Sequence, residues 1–357
     1  MARNKVTQQL IADKLDISVA TVSKAISGHS DVNSDTHTKV INMATKLGYD
    51  IAGRSKQQTS FMPEKHHLVG VFVSHKEDQW RHSNYFAGMS STYAKMNISL
   101  LFHYCCAEDS RLIMQPEFQP PAMRDQLLSG VILVNQWPPN ITKYLTLKVP
   151  CVSIINELPD LKVDVVGIDE FSGISKLMDH LHNLGHRKIG FFARTGVSNQ
   201  ALVRFGAYAA SVYRLGLDFE PESVCGLAEK IVDDNSFTLD MQIKRVVEQI
   251  RRGVRAWMCT DNDVAYDLYR RLTDKDFRVP QDVSITGFGD RESERIEGPK
   301  FTYMAVPALS VGAEAVRRLL NRLRHPASPK LIVKLQCKFI KGATTAPPPK
   351  DLSSESS

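Results

Sequence analysis

Seven short apolar runs, separated by helical or loop segments, determine which folds most of this chain can adopt. In chain order they are "LVGVFV" (68–73), "ISLLFH" (98–103), "GVILV" (130–134), "CVSII" (151–155), "KIGFFA" (188–193), "AWMCT" (256–260) and "VSITGF" (283–288). Strands that alternate with helices form parallel sheets covered by helices on both faces. Two such series, before and after residue 169, predict two α/β lobes with a ligand cleft between them.

The first 49 residues follow a different, helical periodicity. Thr7 can cap a first helix and Ser18 a second helix over about residues 19–26, because a hydroxyl accepts a hydrogen bond from the first turn. A third helix ends at Gly48. The residues expected to face inward are Ile11, Leu15, Val22, Ile26, Val40, Met43, Ala44 and Leu47. The layout is typical of a helix-turn-helix, although periodicity alone also fits any small helical bundle.

The stretch "VATVSKAIS" (19–27) carries small and hydroxyl side chains where a core helix would carry large ones. A helix that enters a DNA groove needs such small side chains on its outer face. Residues 1–60 contain eight Lys or Arg and five acidic residues, a local excess of three positive charges. This excess is compatible with binding to nucleic acid.

The remaining composition is that of a soluble globular protein. The six cysteines are scattered without a CxxC pair, so we expect them to be reduced and mostly buried, as in a cytoplasmic protein. The chain begins without a secretory signal and contains no run of eighteen apolar residues. Residues 51–66 read as a linker, and the Pro- and Ser-rich end, residues 346–357, as a disordered tail.

Six motifs in order resemble the LacI/GalR family of bacterial transcription regulators. They are "IADKLDISVATVSKAISG" (11–28), which the family's usual Gly48-Tyr49 follows, "SNYFAGM" (83–89), "LGHRKIGFF" (184–192), "RFGAY" (204–208), "VPQDVSITGF" (279–288) and "TYMAVP" (302–307). The resemblance implies a small all-α helix-turn-helix head (1–50), then a two-lobed, periplasmic-binding-protein-like α/β domain (67–345). Lobe one would comprise residues 67–168 and 300–328, and lobe two residues 169–299 and 329–345.

In this family the second helix enters the major groove, and the two residues after Ser18 face base edges. The resemblance therefore implies that Val19 and Ala20 read bases, since their methyl groups can touch a thymine methyl. Val19 also lies three residues before Val22, so it could instead belong to the core. The implied DNA-binding set is Thr7, Ser18, Val19, Ala20, Thr21, Ser23 and Lys24, with Arg54 and Lys56 in the linker.

The resemblance also implies an effector site in the cleft. Tyr85 and Phe86 match an aromatic pair at its edge, and Ser198, Gln200 and Arg204 match a triplet that holds polar ligand groups; a surface role for Arg204 is the alternative. Asp169 fits the pattern near the second lobe, or supports only the crossover between lobes. Asn235 and Asp290 complete the implied effector-binding set.

Departures from the family pattern bear on both ligand binding and DNA binding. "GFGD" places Gly289 where relatives carry a sugar-binding Asp, Asn235 stands where an aromatic ring often stacks, and "TDND" (260–263) replaces the usual "AND". The effector is therefore expected to be a sugar, a sugar phosphate or a related metabolite. A phosphorylated, acidic or nitrogenous ligand is the alternative to a neutral sugar. In the linker, Gln58 replaces an apolar residue that wedges into the minor groove.

The expected function is that of a cytoplasmic, homodimeric repressor that binds a pseudo-palindromic DNA operator under the control of a small molecule. A solute-binding sensor or transport protein of the same fold is the alternative. An enzyme is disfavoured because no Ser-His-Asp spacing, P-loop or GxGxxG occurs, and neither a cofactor nor a membrane partner is expected. His180, His182 and His186 suggest a metal, but the family pattern favours structural roles.

Overall fold

The computed structural model describes residues 6–26, 32–47, 49, 66–75, 83–93, 96–106, 109–193, 199–227, 235–289 and 298–349. The chain divides into two compact units, Met1–Lys65 and His66–Ser357. Within the described residues, no helix is both long and apolar enough to cross a membrane.

The first unit contains the three expected helices, α1 (Gln8–Leu15), α2 (Val19–Ile26) and α3 (Ser34–Leu47). Each begins at a side-chain cap: the Thr7 hydroxyl accepts from Leu10 N at 3.4 Å, Ser18 Oγ from Thr21 N at 3.0 Å, and Asn33 Oδ1 from Thr36 N at 2.8 Å. These caps satisfy amide groups that a helix start leaves unpaired. The predicted caps at Thr7 and Ser18 are thereby confirmed.

A small apolar core holds these helices together. Its buried members are Ile11, Ala12, Val22, Ala25, Val40, Ala44 and Tyr49, and its partly buried members include Leu15, Val19, Ile26, Met43 and Leu47. The inward-facing positions predicted from the helical period all belong to this cluster. The short helices are thus stabilised by packing of one face rather than by helix propensity alone.

The second unit contains two six-stranded sheets. Sheet one has the order β11-β5-β4-β3-β1-β2 and is parallel throughout; sheet two has the order β12-β10-β9-β8-β6-β7, in which only β12 runs antiparallel. The strands are β1 (His67–His75), β2 (Ile98–Cys106), β3 (Gly130–Val134), β4 (Cys151–Ile154), β5 (Asp164–Ile168), β6 (Ile189–Phe192), β7 (Val224–Cys225), β8 (Ala256–Cys259), β9 (Ser284–Gly289), β10 (Thr302–Ala305), β11 (Ile332–Leu335) and β12 (Lys338–Ile340).

Helices cover both faces of each sheet, as the alternating pattern predicted. They are α4 (Ser83–Tyr93), α5 (Pro121–Arg124), α6 (Pro139–Thr146), α7 (Glu170–Asn183), α8 (Asn199–Leu215), α9 (Asn235–Arg251), α10 (Asn262–Thr273) and α11 (Ala308–Arg324). The largest buried cluster packs α4 and α11 on sheet one and continues to α7 and α8 on sheet two. β3, β4 and β5 are buried at every residue, as interior parallel strands require.

The chain passes between the lobes three times, and each crossing is short. β5 is followed by Asp169 and then α7, β10 by Val306-Pro307 and then α11, and β11 by Gln336-Cys337 and then β12. All three crossings leave the carboxyl end of a strand, so the carboxyl ends of both sheets lie at the junction. Parallel α/β sheets bind ligands at this edge.

Two predicted lobe boundaries are corrected by the strand pairing. β10 pairs with β9 in sheet two, so residues 300–305 belong to the second lobe and the return to lobe one comes at Val306. β11 pairs with β5 in sheet one, so the last crossing follows Leu335 rather than residue 328. The apolar runs of these short strands were too brief to assign from sequence, and pairing partners far away in the chain decide them.

The predicted start of the disordered tail, at residue 346, is wrong, because Ala346 is hydrogen-bonded to lobe two. Ala346 exchanges two hydrogen bonds with Ser284 Oγ, at 3.0 Å each, and its carbonyl accepts from His186 Nε2 at 2.9 Å. His180 Nε2 contacts Thr345 Oγ1 at 2.9 Å. Burial lowers the pKa of both histidines, which favours their neutral forms. His180 and His186 thus fasten the last described segment to lobe two.

Lobe one is fastened by a buried carboxylate at the start of β5. Asp164 Oδ2 accepts from Arg318 Nε at 2.7 Å and Arg322 Nε at 3.0 Å, and its Oδ1 accepts from Arg322 Nη2 at 2.6 Å and Leu331 N at 2.8 Å. The Asp164 side chain is fully buried. Burial opposes its ionisation, but these hydrogen bonds outweigh that effect and lower its pKa. We call Asp164, Arg318 and Arg322 the Asp164 cluster; it joins β5, α11 and the segment before β11.

Replacing Asp164 by Asn tests this cluster. The variant leaves two buried guanidinium groups without their counter-charge, and we expect the free energy of unfolding to fall by about 3–5 kcal/mol. Urea unfolding followed by circular dichroism measures the change. Asp179→Asn is the matched control, because its partner Arg214 and the carboxylate are both about half exposed and such pairs contribute about 0–1 kcal/mol. An Asp164→Asn loss no larger than the control's would contradict the assigned role.

Candidate functional site

In the head, α2 divides into a packed face and an outer face. Val22 and Ala25 are buried in the head core, whereas Ala20 and Lys24, one turn apart, are exposed. Ser23 lies half-buried beside them. The small side chains found in the sequence therefore fall on the outer surface, with one lysine at the end of the stripe. A surface of this kind lets a helix approach the floor of a DNA groove.

Some of the predicted DNA-binding side chains also stabilise the fold of the head, as helix caps or by packing in its core. Val19 is half-buried against the head core, so the packing alternative left open by the sequence holds for part of its surface. Ser18 Oγ caps α2 and also lies 2.8 Å from Thr21 Oγ1, so these two hydroxyls bind each other. Thr7 caps α1. Of the remaining described members of the set, Ala20 and Lys24 are exposed and Ser23 is half-buried.

Some predicted site residues lie outside the described residues. They are Arg54 and Lys56 in the linker, together with Gln58, and Ser198 and Asp290 in the second lobe. Asn235 begins α9, and its side chain is also outside the description. Their roles remain predictions.

Arg204 is the centre of a hydrogen-bonded network near the junction of the lobes. Its Nε donates to Glu170 Oε1 at 3.0 Å and its Nη2 lies 2.8 Å from the same oxygen, while Nη1 donates to the Thr260 carbonyl at 2.6 Å. The guanidinium also lies over the Phe288 ring, 4.3 Å from its centroid. We call these four residues the Arg204 network.

The network changes the expected setting of Arg204. The sequence suggested an arginine on the rim or at the surface, but its side chain is 8% exposed and that of Glu170 is 12% exposed. A buried ion pair of this kind keeps its geometry because both partners are costly to leave unpaired. Glu170 opens α7 directly after the first crossing, so Arg204 on α8 connects the second lobe to that crossing.

The side chains of the predicted aromatic pair, Tyr85 and Phe86, lie in different surroundings. Tyr85 is buried in the core of lobe one, where its carbonyl is in close contact with Gly312 of α11. Phe86 packs against the rings of Phe102 and Tyr104 on β2, with centroid distances of 5.0 and 6.2 Å. Neighbouring residues of a helix point about 100° apart, so the two rings serve different surfaces.

The structure describes two further residues of the predicted effector-binding set, Asp169 and Gln200. Asp169 forms the first crossing: its Oδ1 caps α7 by accepting from Ser172 N at 3.0 Å, and its amide donates to the Leu335 carbonyl at 2.8 Å. This matches the crossover role that the sequence left open. Gln200 is exposed in the first turn of α8, one turn before Arg204.

Two departures from the family pattern, at Asn262 and Gly289, lie next to each other in the structure. A Cβ on Gly287 would lie 2.3 Å from Asn262 Oδ1, and one on Gly289 would lie 3.5 Å from Asn262 Nδ2. The Asn262 side chain therefore covers the end of β9, where relatives carry the Asp that Gly289 replaces. Asp261, by contrast, caps α10 by accepting from Asp263 N and Val264 N at 3.1 and 3.0 Å.

The histidines and cysteines that the sequence singles out have the following surroundings in the structure. In the described part of the chain, no group of three or more His, Cys, Asp or Glu side chains could hold a metal ion. His180 and His186 bind the C-terminal segment instead. Four of the six cysteines are buried, and Cys105 and Cys106 are half-buried.

Sequence reasoning did not identify three members of the Arg204 network. Glu170, Thr260 and Phe288 lie 34, 56 and 84 positions from Arg204, and only the fold brings them together. One signal was present: an acidic residue directly after the capping Asp169 lies in the first helical turn, at the ligand-binding edge of the sheets.

Comparison with known proteins agrees with this architecture. Residues 178–345 match the periplasmic binding protein-like domain family. The HTH-type transcriptional repressor MelR of Bacillus subtilis is 24% identical over 344 residues, which cover 92% of this chain and 96% of the relative.

Solved structures of the same architecture cover nearly the whole chain. The complex of the transcriptional regulator CelR with cellobiose has a TM-score of 0.65 at 18% identity and covers 95% of this chain and 99% of its own. The lac repressor dimer bound to operator and an anti-inducer has a TM-score of 0.64 at 19% identity, with coverages of 96% and 100%. The resemblance read from the motifs is thereby confirmed: this chain is similar to HTH-type transcriptional repressors over most of its length and has the fold of the LacI-family regulators.

Proposed function

We propose that this protein is a cytoplasmic repressor that reads a pseudo-palindromic DNA operator with α2 and releases or holds it in response to a small molecule. The observation that carries the proposal is the outer face of α2, where Ala20 and Lys24 are exposed on a helix whose opposite face is buried. A transport protein of the two-lobed fold has no use for such a head. The full-length similarity to repressors supports the same function.

The side chains on the outer face of α2 determine which groups of the DNA it can contact. Ala20 supplies a methyl group and allows close approach to base edges, whereas Lys24 supplies a positive charge for a phosphate or a guanine. Ser23 adds a hydroxyl between them. Val19, half-buried, presents only part of its side chain to the groove.

The effector site is assigned to the carboxyl ends of the two sheets. Three crossings pass through this region, and the Arg204 network lies beside the first of them. A small molecule bound here touches both lobes and changes the free energy of their closure. Couplings of about 1–3 kcal/mol between two sites are typical of such regulators. A sugar or sugar derivative is the proposed class, in line with the cellobiose-bound structural relative.

Self-association is assigned to the free edge of sheet one. On β2, Phe102 and Tyr104 are 38% and 47% exposed and pack with Phe86 into an aromatic surface, which we call the β2 aromatic patch. Exposed aromatic clusters at a sheet edge are typical of protein interfaces. A homodimer through this patch supplies the two α2 helices that a palindromic site requires.

Replacing Lys24 by Ala tests the DNA-reading face. If Lys24 neutralises one phosphate, the slope of log affinity against log salt concentration becomes shallower by about 0.9. Fluorescence anisotropy with a labelled duplex at several salt concentrations measures the slope. Lys46→Ala, an exposed lysine in the last turn of α3, is the matched control and should leave it unchanged. Equal slopes for the wild type and Lys24→Ala would exclude the phosphate contact.

Replacing Tyr104 by Asp tests the β2 aromatic patch. A carboxylate placed in an apolar interface is costly to bury, so we expect the dimer dissociation constant to rise by about 30-fold or more. Sedimentation equilibrium measures the constant. Tyr213→Asp is the control, because Tyr213 is exposed on α8 in the other lobe. Dimerisation that survives Tyr104→Asp at wild-type strength would place the interface elsewhere.

A further inference from the structure

We propose that Glu170 sets the effector class: by neutralising Arg204, it makes the site select an uncharged, hydroxyl-bearing compound and reject anionic metabolites. The inference rests on the proposed function and deepens it. It also decides between alternatives that the sequence left open, because an unpaired Arg204 would favour a phosphorylated or acidic ligand.

The geometry of the pair supports charge neutralisation. Two nitrogens of Arg204 share Glu170 Oε1, at 3.0 and 2.8 Å, and both side chains are about nine-tenths buried. Charges in such a setting are poorly screened by solvent, so each side chain cancels most of the field of the other. The Phe288 ring and the Thr260 carbonyl satisfy further parts of the guanidinium.

The charged groups around the pair are of both signs. Cys337, in the third crossing, lies within the electrostatic reach of two cations, Arg204 and Lys176, and of two anions, Glu170 and Asp169. Asp261 adds a carboxylate at the start of α10, beside Thr260. The described groups near Arg204 therefore offer an anion no excess of positive charge.

The pair nevertheless retains groups that match a hydroxyl. Arg204 Nη1 and Nη2 each carry two N–H bonds, of which the contacts described above use one each. Both contacts of Glu170 are to Oε1, which leaves Oε2 as an acceptor. A hydroxyl can accept from the guanidinium and donate to the carboxylate at once. A phosphate or carboxylate carries a negative charge, so it is repelled by Glu170.

Inorganic phosphate is the probe that tests this inference. Glu170→Gln keeps an oxygen acceptor for Arg204 and removes only the charge. We expect phosphate, titrated to about 50 mM at constant ionic strength, to leave the wild-type melting temperature unchanged and to raise that of Glu170→Gln saturably by about 2–4 °C. Glu157→Gln is the matched control: its carboxylate is exposed and pairs with Lys334. It should behave as the wild type does.

Every outcome bears on the proposal. Saturable stabilisation of the wild type by phosphate would overturn it, and so would the absence of any gain in Glu170→Gln. A gain shared by Glu157→Gln would show a general charge effect and would also overturn it. If Glu170→Gln does not unfold cooperatively, Glu170→Ala gives the same comparison. DNA binding of the same samples is measured in parallel, so a failure of the proposed repressor function is seen separately from the phosphate result.

Discussion

The buried carboxylate of Asp164 is the interaction on which the architecture of the second unit depends. It joins β5, α11 and the segment before β11, and each of these elements leads to or from one of the three crossings between lobes. Breaking a buried, hydrogen-bonded ion pair costs several kcal/mol, so the Asp164 cluster holds these three elements of lobe one together. The crossings that connect them to lobe two are only one or two residues long.

The Arg204 network lies beside the first of these crossings. Glu170 directly follows the first crossing and binds Arg204, which also donates to the Thr260 carbonyl after β8. Cys337, in the third crossing, lies within the electrostatic reach of Arg204. A hydroxyl that engages the Arg204–Glu170 pair acts on residues that the crossings position. Binding energy gained there can bias closure of the lobes without a separate relay, which is the physical requirement for coupling two sites.

Local patterns predicted the parts of the fold that depend on neighbouring residues. The caps at Thr7 and Ser18, the span of α2 and the seven apolar strands follow from spacing within a few residues. The short strands β10 and β11, the seating of Ala346 and the Arg204–Glu170 pair depend on partners far away in the chain. Arg204 was identified by its motif, but its burial and its neutralising partner follow only from the packing of α7 against α8.

Selection of binding sites from a random DNA pool by the purified full-length protein, at a fixed salt concentration, tests whether α2 reads an operator. We expect enrichment of one symmetric motif, with two half-sites about one helical turn apart, and loss of that enrichment when Ala20 is replaced by Phe. Ala20 is exposed, so this variant should unfold at the wild-type temperature. No enriched motif, or the same motif selected by Ala20→Phe, would contradict the assignment of α2 as the DNA-reading helix.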